Sequence, residues 1–380
     1  MSDLTSLASV SSPGTEPWTR GEIRQQPETL RATQALLAAE RTNIEMFLKP
    51  LVARSDLRII LAGAGTSAFI GECLAATIGR ATGLCVEAIA TTDIVSAPAL
   101  YLKSAVPTLL VSFGRSGNSP ESIAAIDLAN RTIAEVHHLL ITCNAGGALA
   151  QVSGGNSHVV LLPEATHDRG FAMTSSFSAM MLAALGIFCG IDTVGLRVEA
   201  IAAAVSDLLE SAEPRMAALA ARGFSRVVYL GSGSFRGLAR EASLKLLELT
   251  DGGVVTMFDS TLGFRHGPKT IVNDDTLVVV FVSNDPLSRS YDRDMIEELR
   301  ADGVAGAVLA VSAQPEAGDA IYVRDLGRAE DSDLLFPYIV PAQLFAFHAS
   351  LERGLDPDRP NKAGTVNRVV QGVRIHTAAE

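Results

Sequence analysis

A short β-branched run, closed by a Gly-x-Gly turn and followed by an apolar helical segment, occurs twice in this chain. The first turn is Gly63-Ala64-Gly65-Thr66-Ser67 and the second is Gly231-Ser232-Gly233-Ser234, 168 positions later. Further strand-like runs follow each turn at nearly the same offset. After Leu57–Ala62 come Cys85–Ala90, Pro107–Ser112, His138–Thr142 and His158–Leu162; after Arg226–Leu230 come Val254–Phe258, Thr276–Ser283, Ala307–Val311 and Ala320–Val323. Repetition over this period marks a duplicated unit. Strands that alternate with helical segments pair in parallel through crossover helices. The expected fold class is α/β: two tandem units, each a mainly parallel sheet flanked by helices in a three-layer αβα sandwich of flavodoxin-like form. The expected boundaries are a flexible, Ser/Thr/Pro-rich segment over 1–29, a first unit over 30–195 and a second over 196–380, joined by a long helix near 196–222. A helical lead-in is expected from Pro27 to Ala53. At 380 residues each unit is long enough to bury its own core.

Apolar residues make up 48% of the chain and charged residues 19%, a balance that suits much interior and a buried interface, so an oligomer is expected. The formal charge of −11 argues against nucleic acid or an anionic membrane as the main partner, and any bound anion must be held locally. The four cysteines (Cys73, Cys85, Cys143, Cys189) form no CxxC pair and have no histidine at metal-ligand spacing, so neither a metal site nor a disulfide framework is expected. The first 17 residues contain no apolar signal core. No apolar run reaches the roughly 18 residues of a membrane span, the richest being Phe177 to Ile191. A cytoplasmic protein is the expectation.

Open parallel sheets bind ligands beyond the carboxyl ends of their strands. Two loops of the first unit stand there. Gly63–Ser67 offers small residues and a helix N-terminus to an anion. Ser112–Ser122, which reads SFGRSGNSPES, gathers hydroxyls and amides just before a helix opened by Pro120. Neither is a Walker A motif. Neither completes the dinucleotide fingerprint, since Gly63-x-Gly65 lacks a third glycine and Gly237 falls one residue late after Gly231-x-Gly233. Plain turns and caps remain the alternative reading of both.

In the segment Leu238–Leu249, Glu241, Lys245 and Glu248 fall within an arc of about 60°. Leu244 borders that arc on one side and Leu238, Ala242 and Leu249 on the other. Charges inside an apolar face are either acid–base machinery or an i,i+4 ion pair at a domain contact. His266, in the turn Leu262-Gly-Phe-Arg-His-Gly-Pro-Lys269, is a candidate proton carrier.

The serine-rich loop resembles the Ser-x-Ser-Gly-x-Ser/Thr signature of the sugar isomerase (SIS) family, whose loops hold the phosphate of phosphosugars. By that match Ser116 and Ser119, with Thr66 and Ser67, ligate phosphate. Arg115, with Gly114, stands where many relatives carry Ser-Gln; it either adds a charged donor or points to solvent. The helix and His-Gly-Pro loop resemble the isomerase half of glucosamine-6-phosphate synthase. This implies that Glu248 moves a proton between C1 and C2 with Lys245 close by. It also implies that His266 opens the sugar ring from a neighbouring subunit, in a homodimer or higher oligomer. The family's C-terminal lysine has only an offset counterpart, Lys362, and its role is not carried over. No glutaminase segment precedes the isomerase unit, so ammonia from glutamine is not expected. Thr166–Ser175 and Thr365–Val373 resemble the galactosamine-6-phosphate deaminase and tagatose-6-phosphate ketose/aldose isomerase branch, and the likeness runs over roughly 40–376.

The resemblance implies conversion of a 2-amino-2-deoxyhexose 6-phosphate, galacto or gluco, to a ketose 6-phosphate and ammonia. No metal or redox cofactor is needed, because amine and carbonyl polarise each other. The alternative is an aldose–ketose isomerase of a neutral phosphosugar. A non-catalytic sugar-phosphate sensor is the reading from another class; such regulators usually carry a helix-turn-helix module, for which the N-terminal segment and the −11 charge leave little room.

Overall fold

The computed structural model describes residues 16–370 and 372–376. Helices α1 (Trp18–Arg24) and α2 (Gln26–Val52) lead into the first sheet. Its strands are β1 (Arg58–Ala62), β2 (Cys85–Ala88), β3 (Thr108–Gly114), β4 (Val136–Thr142) and β5 (Ser157–Leu161), with α3 (Thr66–Thr82), α4 (Thr91–Ser96), α5 (Pro98–Tyr101) and α6 (Pro120–Thr132) between them. Helices α7 (Ser175–Cys189), α8 (Ile191–Ser211) and α9 (Glu213–Ala221) then lead to the second sheet. That sheet comprises β6 (Arg226–Gly231), β7 (Val255–Asp259), β8 (Thr276–Phe281), β9 (Ala307–Ser312) and β10 (Ala320–Tyr322), accompanied by α10 (Ser234–Leu249), α11 (Thr261–Phe264), α12 (Pro286–Asp302) and α13 (Asp331–Glu352).

The two sheets have one topology. Their orders are β2-β1-β3-β4-β5 and β10-β9-β8-β6-β7, every pairing is parallel, and β6 to β10 repeat the places of β1 to β5. The duplication reaches the backbone of the turns. Gly65 and Gly233 hold φ of 55° and 57°, a region open to glycine and costly for other residues. A Cβ on Gly63 or on Gly231 would lie 2.5 Å from the helix that follows, so each strand runs into its helix only through a residue without a side chain.

Alternation along the strands makes three layers. Ile60, Leu110 and Leu140 face an outer cluster under α4 and α6. Val228, Val278 and Val280 face another beneath α12. The opposite strand faces, with α2, α3, α7, α8, α10 and α13, share one cluster that runs from Ile23 to Ala349. The two units therefore have separate outer cores and one inner core in common, where the sequence pointed to a core for each.

Three other expectations are revised. The single helix near 196–222 is two, because Pro214 cannot continue α8 and opens α9 instead. Residues 18–24, placed in the flexible segment, form α1; Ile23 is buried, and the Trp18 and Thr19 amides each donate to the Asp358 carboxylate at 2.8 Å. Residues 26–29 of that segment open α2, with Gln26, Pro27 and Thr29 buried, and residues 1–15 lie outside the described residues. Among the described residues the longest apolar helix is α13 rather than Phe177–Ile191: at 22 residues it reaches the length and apolar content of a membrane span, where none was expected, and it is instead mostly buried in the fold. It is apolar all round because α8, α9 and α10 pack against it, which is the pattern of a core helix.

Candidate active site

In each sheet the strand order reverses between the first and third strands of the unit, β1/β3 and β6/β8. Ligands in such sheets lie at that point. At the β1/β3 point the Gly63–Ser67 turn and the serine loop enclose a cavity of about 210 Å³. Thr66, Ser67, Ser116 and Ser119 all line it, as does Arg115. Thr66 and Ser67 are the first residues of α3, and Ser119 immediately precedes α6. Two helix N-termini therefore flank a hydroxyl-lined space, an arrangement that favours an anion. Gly117, at φ 65°, turns the serine loop.

Residues at the end of β4 and just beyond it brace that loop, and the motif alone did not single them out. Thr142 Oγ1 donates to the Gly114 carbonyl at 2.7 Å, and Asn144 Nδ2 to the Ser116 carbonyl at 2.8 Å. Asn118 accepts the Ala148 amide at 2.9 Å, and the Ser119 and Ser122 hydroxyls are 2.6 Å apart.

The acid–base group comes from the other half. Helices α3 and α10 occupy equivalent places in the two units and pack on each other at Gly237. A Cβ there would fall 2.7 Å from the Cys73 amide nitrogen. This close approach brings the charged face of α10 against the first unit. Glu241 is fully buried, and its Oε1 accepts the Thr66 hydroxyl at 3.3 Å. Lys245, 1% exposed, stands 3.6 Å from Glu241 and 2.5 Å from Glu248. Glu248 is 25% exposed, and of the three it alone lines the cavity. The ion pair at the unit contact and the acid–base group at the cavity are thus parts of one cluster.

Charge within the cluster follows from burial. Loss of solvation, with Glu248 nearby, pushes the Glu241 carboxyl up to about 8 in spite of Lys245. Its Oε2 is buried with no hydrogen-bond partner, a place that a neutral carboxyl tolerates and an ionised one does not. Burial works against the Lys245 ammonium, but Glu241 and Glu248 outweigh it and hold it above its ordinary value. The cluster is a Lys245–Glu248 contact backed by a carboxyl that burial pushes toward its neutral form.

Arg115 does not point to solvent. It is 6% exposed, and its guanidinium donates to the carbonyls of Gly170 (3.2 Å), Phe171 (3.1 Å) and Arg368 (2.8 Å). Burial and the neighbouring Arg368 push it down to about 10, with Asp168, Glu248 and Glu22 opposing. The segments around 170 and 368 are those whose likeness to one branch stood out in the sequence; here they meet as one wall of the cavity, with Phe171, Met173 and residues 366–370 in its lining. Glu22, which the sequence did not mark, accepts the Arg169 and Gly170 amides from behind. Burial, then Asp168, push the Glu22 carboxyl up to about 7.

His266 is exposed, lies beyond the edge strand β7, and is not among the residues lining this cavity. Lys362 is likewise exposed and apart from it. No group of three or more His, Cys, Asp or Glu among the described residues has the arrangement of a metal site.

Comparison with known proteins agrees with this geometry. The family model described as SIS domain matches residues 51–188, the first sheet with its helices. The D-galactosamine-6-phosphate deaminase AgaS of Escherichia coli is 46% identical over 375 residues, covering 95% of this chain and 96% of that protein. The crystal structure of tagatose-6-phosphate ketose/aldose isomerase from Escherichia coli superposes with a TM-score of 0.89 at 43% identity, over 98% of this chain and 99% of that one. The C-terminal domain of glucosamine-fructose-6-phosphate aminotransferase from Francisella tularensis shares the fold alone, with a TM-score of 0.74 at 19% identity over 92% of this chain and 100% of that one. With identity at this level along nearly its whole length, and two sheets of one topology, the chain belongs to the SIS domain family.

Proposed function

We propose that this chain is an amino-sugar-phosphate deaminase/isomerase that converts a 2-amino-2-deoxyhexose 6-phosphate, galactosamine 6-phosphate in first place, to a ketose 6-phosphate and ammonia. The observation that carries this reading is Glu248, an acid–base group from the second unit that opens into a hydroxyl-lined, helix-flanked cavity of the first. The phosphate sits on Thr66, Ser67, Ser116, Ser119 and the amides at the start of α3. In the open-chain aldehyde Glu248 takes the proton from C2, giving a C1–C2 enolamine, and returns it to C1. The C2 imine so formed adds water and expels ammonia, leaving the C2 ketone, a net hydrolysis of the C–N bond. Lys245 keeps Glu248 oriented and compensates its charge. On the same reading the enzyme works in the cytoplasm.

Ring opening is assigned to His266 of a second copy in a homodimer. Two features support this: His266 is exposed and remote from the cavity lining of its own chain, and Leu247, Val255 and Leu262 leave apolar surface exposed on α10, β7 and α11. Mixing Glu248→Gln protein with His266→Ala protein then rebuilds one intact site in each mixed dimer. Random exchange of equal amounts returns about a quarter of the parental activity. A mixture as inactive as its parts places the histidine in the chain it serves, or removes it from the reaction.

The relative named for tagatose 6-phosphate, 43% identical, favours a second reading: isomerisation of a neutral phosphosugar by the same base. Incubation with galactosamine 6-phosphate and glucosamine 6-phosphate separates the two. We expect stoichiometric ammonia and ketose 6-phosphate from one or both; ketose formation from a neutral aldose phosphate, with no ammonia from either amino sugar, selects the isomerase.

A further inference from the structure

We propose that Arg115 is a positioning residue that ties the phosphate loop to the wall closing the sugar end of the cavity, and that it does not ligate the phosphate. The inference rests on the phosphosugar reading of that cavity.

A guanidinium offers its N–H groups in a rigid, planar fork. Here Nη1 donates to Gly170 and Phe171, and Nη2 to Arg368. One side chain, rooted between Gly114 and Ser116, thus holds carbonyls from two distant segments. The second segment has little else to fix it. Val366 and Val370 are 57% and 52% exposed, so apolar burial contributes little against the entropy of ordering this stretch. What remains among the described residues is polar: the Val366 amide's bond to Asn361 Oδ1 at 3.1 Å at one end, the bond from Arg115 to the Arg368 carbonyl, and the Arg368 guanidinium's own bonds to the Asp168 and Gly170 carbonyls, the latter at 3.3 Å. The 168–171 segment is in turn anchored. Asp168 accepts the Thr174 and Ser176 amides at 2.8 and 2.9 Å, and Glu22 accepts the Gly170 amide at 3.1 and 3.2 Å. Burial, and for Arg115 the neighbouring Arg368, lower both guanidiniums in spite of Glu22 and Asp168, so the case for positioning rests on the three carbonyls that occupy the Arg115 fork.

The test compares Arg115→Gln and Arg115→Lys with the parent chain, using inorganic phosphate as the binding probe. Three quantities are measured: phosphate affinity by calorimetry, hydrogen exchange of the 366–370 amides, and kcat and KM for galactosamine 6-phosphate. We expect phosphate affinity within threefold of the parent, exchange at 366–370 at least tenfold faster, and kcat/KM at least tenfold lower. Lysine should fail as glutamine does, because one ammonium cannot span three carbonyls on two segments. Arg368→Ala, which leaves the serine loop untouched, should loosen 366–370 and lower kcat/KM in the same sense. A tenfold or greater loss of phosphate affinity with unchanged exchange at 366–370 makes Arg115 a phosphate ligand and overturns the proposal. Restoration of activity by lysine also overturns it. Failure of the parent chain to bind phosphate at this cavity sinks the phosphosugar reading and this inference together; phosphate binding with an undisturbed 366–370 segment sinks this inference alone.

Discussion

Glu248→Gln protein is expected to turn over amino-sugar phosphate about a thousandfold more slowly than the parent while binding phosphosugar within threefold of it. The size follows from the role. A positioned base that carries a proton in the transition state is worth about a hundred- to ten-thousandfold. An amide of the same shape keeps the contacts of the ground state and none of the basicity. The phosphate contacts come from the other unit, from loops rooted on β1 and β3, so they do not depend on the carboxylate of α10. Lys245 keeps an acceptor in the glutamine oxygen but loses the charge of its 2.5 Å partner; Glu241, 3.6 Å away, is at the same time freed of the negative neighbour that opposed its own ionisation, so the ammonium is not left alone in the interior. The measurement is ammonia release under saturating substrate, with affinity taken from calorimetry on the variant. Near-parental turnover would remove Glu248 from the chemistry. Lost binding along with lost turnover would make it a ligand of the sugar in the ground state, since a group that acts only in the transition state leaves affinity unchanged.

All ten strands were legible within two residues or so at their ends, for a plain reason. The central strands are β-branched or apolar runs buried on both faces, as in Leu109–Phe113 or Leu277–Phe281, and the edge strands β2, β5, β7 and β10, only partly buried, are short runs bounded by turn residues. The glycine turns were legible because each needs two glycines: Gly65 and Gly233 hold φ near 55°, and a Cβ on Gly63 or Gly231 would lie 2.5 Å from the helix that follows. The charged face of α10 was also readable, since three ionisable residues at helical spacing inside an apolar face must be partnered somewhere. What the sequence could not carry was the partnering itself. Glu241 meets Thr66 because α3 and α10 cross at Gly237, a contact between residues 175 positions apart that no local pattern encodes. Arg115 could not be placed because its acceptors are backbone carbonyls, which have no residue identity to read. Glu22 hid in a segment whose composition pointed to disorder, though Ile23 is wholly buried and the Asp358 carboxylate holds the start of α1. The shared inner core escaped for a related reason: periodicity says that a face is apolar, and not which unit's face it meets.

Glu241→Gln protein is expected to lose markedly less stability than the parent between pH 5 and pH 8. The folded chain holds a proton on Glu241 up to about pH 8, whereas an exposed, unfolded glutamate releases it near its ordinary value of 4.5. A carboxyl raised in this way contributes stability that is complete below pH 4.5, declines as the unfolded state deprotonates first, and is gone above pH 8. At about 1.4 kcal/mol per unit, the decline attached to this one group is roughly 4 kcal/mol across the window. Glutamine has no proton to release, still accepts from Thr66 through its amide oxygen, and removes that slope. Lys245 does not obscure the result: its raised value moves its own loss of stability to pH above 10.5, outside the window. Glu22, raised to about 7 by burial and Asp168, contributes a decline of the same sign, so the variant keeps part of the parental slope, and Glu22→Gln serves as the matched control. Urea midpoints at pH 5, 6, 7 and 8, taken at one protein concentration, measure the difference directly. Parallel curves for the parent and Glu241→Gln would mean that the carboxyl is ionised in the folded chain; the cluster would then be two carboxylates sharing one ammonium, and the neutral acid behind Lys245 would have to be abandoned.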